Sequence, residues 1–392
     1  MDRTSATTPR LYECQLFRSI DDVNAAEWLN VCRGSGNMYL DPRFLKVVES
    51  SFISESRFWY ALYRDDEGLA VAASCFSSYR IDVALMAPLA VQKCVAAVRL
   101  VWPGFFKFQV LLGGMPLSSA TSYLAISERA NVDRILASLN DTAVRLAREI
   151  GSRLISFQQF STEVAEKLDG LLQLGFRKAR SSYDFKLYGD FGSFPAYLAA
   201  LKNEPRWRIR RNKRRFAESG VTCELLRGRD GADERFTPEV YQLYLNVLER
   251  AKVRLERKPI HFFQELARQY PDDSHFIFIR QSDRIVAFGC GLTSDHQHSL
   301  ISVGFDYSIN REVDLYFNLI YQMMEQGMAP GINVIHFGAA ADEFKRRLGC
   351  RGEWLSLYAK ASRPIAQWFL NRLFDKLFDT DNTREVNEPF VS

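Results

Sequence analysis

The chain has 392 residues, enough for two cores of ordinary domain size. Hydrophobic residues make up 47% and charged residues 25%, which excludes a compositionally disordered protein. The net charge of +4 predicts no polyanionic partner by itself, so what matters is where the charge is concentrated.

Met1 to Arg10 is polar and lacks the apolar core of a signal peptide. Phe44 to Glu49 reads as the end of a helix, followed by an apolar strand from Phe58 to Tyr63. A turn at Arg64-Asp65-Asp66-Glu67-Gly68 leads into a second strand from Leu69 to Tyr79, an expected hairpin. The most apolar stretch, Met86 to Met115, is interrupted by Lys93, Arg99, Pro103 and Lys107, and no apolar run reaches the ~18 residues that span a bilayer. Within it, Trp102 to Phe108 places four aromatics around a turn, a composition suited to a membrane interface. Val132 to Ile150 has apolar residues at helical spacing, with Asn131 as N-cap and Gly151 past the end. A strand from Leu154 to Phe157 follows, then a helix closing at Leu174-Gly175-Phe176.

Gly189, Gly192, Ser193 and Pro195 interrupt the pattern and mark a join between Tyr188 and Pro205. A helix then carries seven basic residues among the ten from Arg206 to Arg215, ahead of a strand from Val221 to Leu226. Pro238 to Arg250 is amphipathic, with Val240, Leu243, Tyr244, Val247 and Leu248 on the core stripe and Arg250 off it. The order of the first half now recurs. Phe262 to Ala267 is a helix, Phe276 to Ile279 a strand, Arg280 to Asp283 a turn and Ile285 to Thr293 the returning strand. Val313 to Gln326 is a helix, Asn333 to Phe337 a strand, and the next helix closes at Leu348-Gly349-Cys350. The repeated order argues for duplication of an α/β unit with a mixed sheet. The expected domains are 1–188 and 189–362, with an amphipathic helix and tail over 363–392 whose apolar residues run from Ile365 to Phe378. That helix either packs on its domain or lies in a membrane interface.

Three segments carry a family resemblance: the basic helix with its strand, Tyr241-Gln242-Leu243-Tyr244 followed by Arg250 and Phe262-Phe263, and Phe337-Gly338-Ala339-Ala340-Ala341-Asp342-Glu343-Phe344-Lys345 before Arg347-Leu348-Gly349. Together with the element order, they resemble the FemAB-like branch of the GNAT acyltransferase superfamily, built from two tandem GNAT-like domains. The resemblance implies transfer of an activated acyl group to an amine, with acyl-CoA, an acyl carrier protein or an aminoacyl-tRNA as co-substrate and no bound cofactor. Such relatives act on envelope components, including peptidoglycan peptides, amino sugars and long-chain lipid bases that become ceramides. A non-catalytic module that keeps the fold for binding is the alternative from another class. One departure concerns the donor. The glycine-containing loop that holds the pyrophosphate of acetyl-CoA in relatives has no glycine in the corresponding stretch, Tyr307 to Asp314.

Candidate site residues concentrate in the second half. His336 precedes Gly338 in a strand and has the right unperturbed pKa for a general base, though a core histidine satisfied by backbone reads the same way. Glu312 and Asp314 are rival bases with Tyr316 as nearby proton donor; the acids also suit a helix N-terminus. Arg210, Arg211, Arg214, Arg250, Arg311 and Lys345 are expected to contact substrate or an anionic partner such as tRNA, a carrier protein or an anionic membrane surface. His296 and His298 beside Asp295 sit at an expected hairpin tip, and no metal site is expected there. Seven scattered cysteines without a CxxC pair read as reduced thiols, so the expected setting is cytoplasmic, at most peripheral at the inner face of a membrane.

Overall fold

A computed structural model describes residues 10–82, 89–105, 107–117, 121–250, 257–338 and 342–377. The chain divides into two units, the first comprising 10–182 with 354–377 and the second 183–353.

In chain order the first unit contains β1 (Glu13–Phe17), α1 (Ala25–Cys32), α2 (Pro42–Phe52), β2 (Phe58–Arg64), β3 (Ala70–Asp82), α3 (Leu89–Val98), β4 (Lys107–Gly113), β5 (Leu124–Ile126), α4 (Val132–Glu149), β6 (Leu154–Phe160), α5 (Thr162–Leu168) and the start of β7 (Arg177–Tyr188). The second contains the end of β7, α6 (Phe194–Ala200), α7 (Asn203–Glu218), β8 (Val221–Arg227), α8 (Pro238–Arg250), α9 (Ile260–Gln269), β9 (Ser274–Gln281), β10 (Arg284–Ser294), β11 (Gln297–Phe305), α10 (Tyr307–Val313), α11 (Leu315–Gly327), β12 (Val334–Gly338), α12 (Asp342–Arg347) and the start of β13 (Arg351–Ala361). The end of β13 and α13 (Pro364–Leu377) return to the first unit.

Strand order is the same in both. The first unit runs β1-β2-β3-β4-β6-β13, with β5 on β3, and the second β8-β9-β10-β11-β12-β7. In each, β4–β6 or β11–β12 is the parallel pair and the strand after it is antiparallel. This equivalence matches the duplication expected from the sequence. The division differs from the expected one, because the last strand of each sheet is exchanged. Phe185–Tyr188 of β7 pair with β12, whereas Ser356–Ala361 of β13 pair with β6. The boundary therefore falls inside β7, after 182 rather than 188, and the stretch 354–361 belongs with the first half of the chain.

Local sequence explains the elements. β2 (FWYALYR) is buried except at its last residue, as a strand covered on both faces must be. α4 starts where the Asn131 side chain accepts the Arg134 amide at 3.0 Å and stops before Gly151 at φ 66°; between them Ile135, Leu136, Leu139, Ala143, Leu146 and Ala147 are buried on one face. In the second unit, side chains alternate across β9. Ile277 and Ile279 face the core with α7 and α11, while Phe276 and Phe278 meet Phe236 on the opposite face, where Phe263 of α9 stacks on Phe236.

Several expectations on smaller segments are changed by the structure. The helix expected from Val313 begins earlier, as α10, and breaks at Asp314, which sits in the left-handed region at φ 51° before α11. His298 is not at a hairpin tip but inside β11, fully buried and bonded to Thr293 at 2.8 Å; the tip is Asp295-His296, and His296 faces the Gly331 carbonyl. No cluster of three metal-ligating side chains occurs among the described residues. All seven cysteines are unpaired, with Cys32, Cys75, Cys290 and Cys350 buried. No helix among the described residues is long and apolar enough to cross a membrane. In α13, Leu370 packs with buried Phe374 against the first unit, leaving Ile365 and Trp368 exposed; Phe378 lies outside the described residues.

Candidate active site

The parallel strands β11 and β12 pair only at Gln297↔Val334, His298↔Ile335 and Ser299↔His336. Beyond that rung β11 continues to Phe305 beside β10 alone, so the two strands part as a fork. At the parting, β11 also shifts register against β10: Leu300 pairs Gly291 and Ser302 pairs Cys290, leaving Ile301 as an extra residue. Such a bulge leaves a residue outside the ladder and turns its backbone groups toward something other than the neighbouring strand. In the first unit β4 and β6 stay paired through Gly113↔Phe157 to the last residue of β4, after which β5 takes its place beside β3 at Ala72–Ser74.

His336 sits on the last rung of the fork. Its neighbours Ile335 and Phe337 face the core with α11, so alternation turns His336 to the other face. It is 3% exposed, and its Nε2 lies 2.7 Å from Oδ2 of the fully buried Asp184 in β7. The Lys186 ammonium is 3.4 Å from the same carboxylate and 3.0 Å from Glu353. Burial alone would push the Asp184 carboxyl up, but the hydrogen bond with His336 and the charges of His336 and Lys186 outweigh it and hold the group below the usual carboxylate range. Sequence reasoning misses Asp184. The available signal is an acid among apolar and aromatic neighbours in a strand, Tyr183-Asp184-Phe185, where burial demands a partner.

Lys345 is buried, and its ammonium donates to the carbonyls of Phe337 at 3.0 Å and Gly338 at 2.7 Å. Where the resemblance implies a substrate contact, these bonds direct the ammonium inward, onto the end of β12. Ala339 to Ala341 lie outside the described residues.

The other candidates stand at the open end of the fork. Phe305 lies further along β11 from Ser299, about 20 Å at ordinary strand spacing. The Tyr316 ring is 5.5 Å from Phe305 and 5.6 Å from Phe344 of α12, so it stands between the arms; burial pushes its hydroxyl up to about 12. Asp314 accepts from Arg215 at 2.9 Å. The Arg250 guanidinium lies 3.8 Å over the Tyr307 ring, which in turn is 4.5 Å from Phe305. The side chains of Arg311 and Glu312 lie outside the described residues.

The basic helix α7 divides its charges. Arg206 donates to the carbonyls of Ala199 and Leu201, Arg208 pairs with Glu204, Lys213 with Glu325 and Arg215 with Asp314. Arg210, Arg211 and Arg214 are exposed and share one stripe with Trp207, itself 59% exposed, with Arg211 over the indole at 5.1 Å. Ile209, Asn212 and Phe216 form the buried face.

Residues 204–346 match the family model for the acetyltransferase (GNAT) domain. That match lies wholly within the second unit and spans most of it. No curated protein matches the sequence. Among solved structures, the C-terminal domain of a putative lysylphosphatidylglycerol synthetase from Agrobacterium fabrum is similar at 13% identity, covering 92% of this chain and 98% of that one with a TM-score of 0.52. FemX is similar at 9% identity over 88% and 96% of the two chains, TM-score 0.53. A tandem GNAT protein of the clavulanic acid biosynthesis pathway is similar at 11% identity over 90% and 99%, TM-score 0.51. At these identities the likeness is one of fold, and that fold is the tandem GNAT arrangement expected from the repeat. The forked pair β11–β12 lies within the stretch that matches the GNAT domain model.

Proposed function

We propose that this chain is an N-acyltransferase whose reaction centre is the fork of its GNAT domain, with an amine carried by an envelope or lipid molecule as acceptor. The observation that carries this reading is the coincidence of three features at one rung: the parting of β11 and β12, the bulge at Ile301 and the buried His336–Asp184 pair. An acyl thioester threaded into the fork would lay its carbonyl along backbone released from pairing, where an amide hydrogen can stabilise the developing oxyanion. The amine nitrogen attacks the carbonyl carbon, the C–N bond forms, the C–S bond breaks and the thiolate leaves. Asp184 accepting from Nε2 leaves Nδ1 of His336 as the nitrogen that takes the amine's proton. Lys345 holds the end of β12 in place through its two carbonyl bonds. Tyr316, the Asp314–Arg215 pair and Arg250 on Tyr307 would line the entry for the donor's distal part.

A specific observation bears on the donor. The stretch that would cradle a pyrophosphate is occupied by α10, and the Asp314 carboxylate stands at the start of α11, where a bound anion would gain from the helix dipole. Exposed Arg210, Arg211 and Arg214 instead favour a donor delivered on a larger polyanion, a carrier protein or tRNA. The decisive experiment presents the protein with acetyl-CoA, long-chain acyl-CoA, acyl carrier protein thioester and aminoacyl-tRNA against amino-sugar, peptide and long-chain-base amines, with products read by mass spectrometry. The reading requires an amide from at least one pair. Absence of product from every pair would favour the binding-module alternative.

A further inference from the structure

A different feature lies at one end of the first unit. Leu100, Val101 and Trp102, just after α3, are 87%, 90% and 63% exposed. Three consecutive large apolar side chains in water cost free energy unless something covers them. They are not on a loose tail. The amides of Leu100, Val101 and Trp102 donate to Ala97 and Val98, Phe105 N donates to Trp102 O at 3.0 Å, and Arg99 Nε donates to Phe105 O at 2.9 Å. The turn holds its apolar residues outward, with the Trp102 and Phe105 rings 5.5 Å apart.

The same end of the unit carries a second exposed pair. Ser152 Oγ donates to Gln109 O near the start of β4, and Ser362 Oγ donates to Ser152 O just before α13. These bonds bring the starts of β4, β6 and α13 to one end of the sheet, next to the turn that precedes β4. There Ile365 is 75% and Trp368 57% exposed, one helical turn apart on the outer side of α13. Basic residues are in excess at this end, although Asp82 stands opposite Lys107 and Glu149, paired with Arg18, lies just before β6. No acidic residue occurs between Asp82 and Glu128, while Lys93, Arg99 and Lys107 do; Lys107, Arg153, Arg363 and Arg372 are exposed around the apolar pieces.

We infer that this end of the first unit is a docking face for an anionic phospholipid bilayer. Aromatic and aliphatic tips entering the headgroup region, ringed by lysine and arginine that meet lipid phosphates, are the composition of an interfacial anchor. A second copy of the chain is disfavoured as occupant, because like charges would face one another across such a contact. The inference does not depend on the acyl-transfer chemistry.

The test is co-sedimentation of the full chain with phosphatidylcholine vesicles, with and without phosphatidylglycerol. The variants are Leu100→Ser/Val101→Ser/Trp102→Ser, Ile365→Ser/Trp368→Ser and Lys107→Gln/Arg153→Gln/Arg363→Gln, with melting temperatures checking the fold. The wild type should bind the anionic vesicles. Each apolar variant should weaken binding about tenfold or more, the loss expected for removing buried apolar groups, and the charge variant should lose the preference for phosphatidylglycerol. The inference is overturned by a wild type that stays in solution with both vesicle types, or by apolar variants that bind as the wild type does. It is equally overturned if binding is lost only on changing Arg210, Arg211 and Arg214 of α7. Self-association abolished by the apolar variants, with no vesicle binding, would overturn it in favour of a second copy.

Discussion

His275 and His298 lie with rings 5.0 Å apart, joined through Thr293 Oγ1 at 2.9 and 2.8 Å. Burial, and then the Arg227 charge, pull His275 down to about 4. Burial, His275 and Arg227 pull His298 down to about 3. The folded protein therefore resists protonation that the unfolded chain accepts below about 6.5. Between those values the unfolded state binds more protons, so stability falls as pH falls from about 6.5 toward 4. Melting temperatures recorded across that window should drop in the wild type and drop less in His298→Gln; parallel curves would show that the pair does not set acid stability.

At the scale of elements, α7 separates structure from surface. Ile209, Asn212 and Phe216 seat it, while Arg210, Arg211 and Arg214 are exposed, Arg211 lying over Trp207 and Arg214 4.0 Å from Glu218 of the same helix. Alanine at those three positions should leave the melting temperature within about 0.5 kcal/mol of the wild type in stability terms. It should weaken binding of an anionic donor or carrier and flatten the salt dependence of that binding by roughly one unit of slope for each phosphate no longer neutralised. Unchanged activity and salt dependence would make the stripe a solvated face only. Periodicity and turn residues make most helices and the two hairpins legible, because the core-facing spacing of α4, α8 and α9 is local information. The sequence points to His336 from its place in a strand before Gly338. It does not point to Asp184, since the partner comes from a strand distant in sequence and pairing of β7 with β12 is not written in either segment. The inward turn of Lys345 is hidden for the same reason: the side chain looks like a surface charge until the carbonyls of Phe337 and Gly338 are placed beside it.

At the scale of the whole molecule, duplication and exchange have different consequences. Each unit repeats one strand order, yet each takes its last strand from beyond the break between the halves. The fragment 1–188 lacks Ser356–Ala361, so the edge of β6 and buried Tyr358 and Ala359 lose their places. Expressed alone it should fail to give a cooperative thermal transition, whereas the full chain should give one; a cooperatively folded 1–188 would show that the exchanged strand is dispensable. In the second unit the parallel pair opens as a fork beyond Ser299 and His336. The central claim, acyl transfer at that fork with His336 as base, is tested most directly by comparing His336→Ala with the wild type on the best donor and amine pair. The account predicts amide formation slower by about 10²–10⁴, with an unchanged KM for the donor and a folded protein by melting temperature. Wild-type turnover in a folded His336→Ala variant would contradict it.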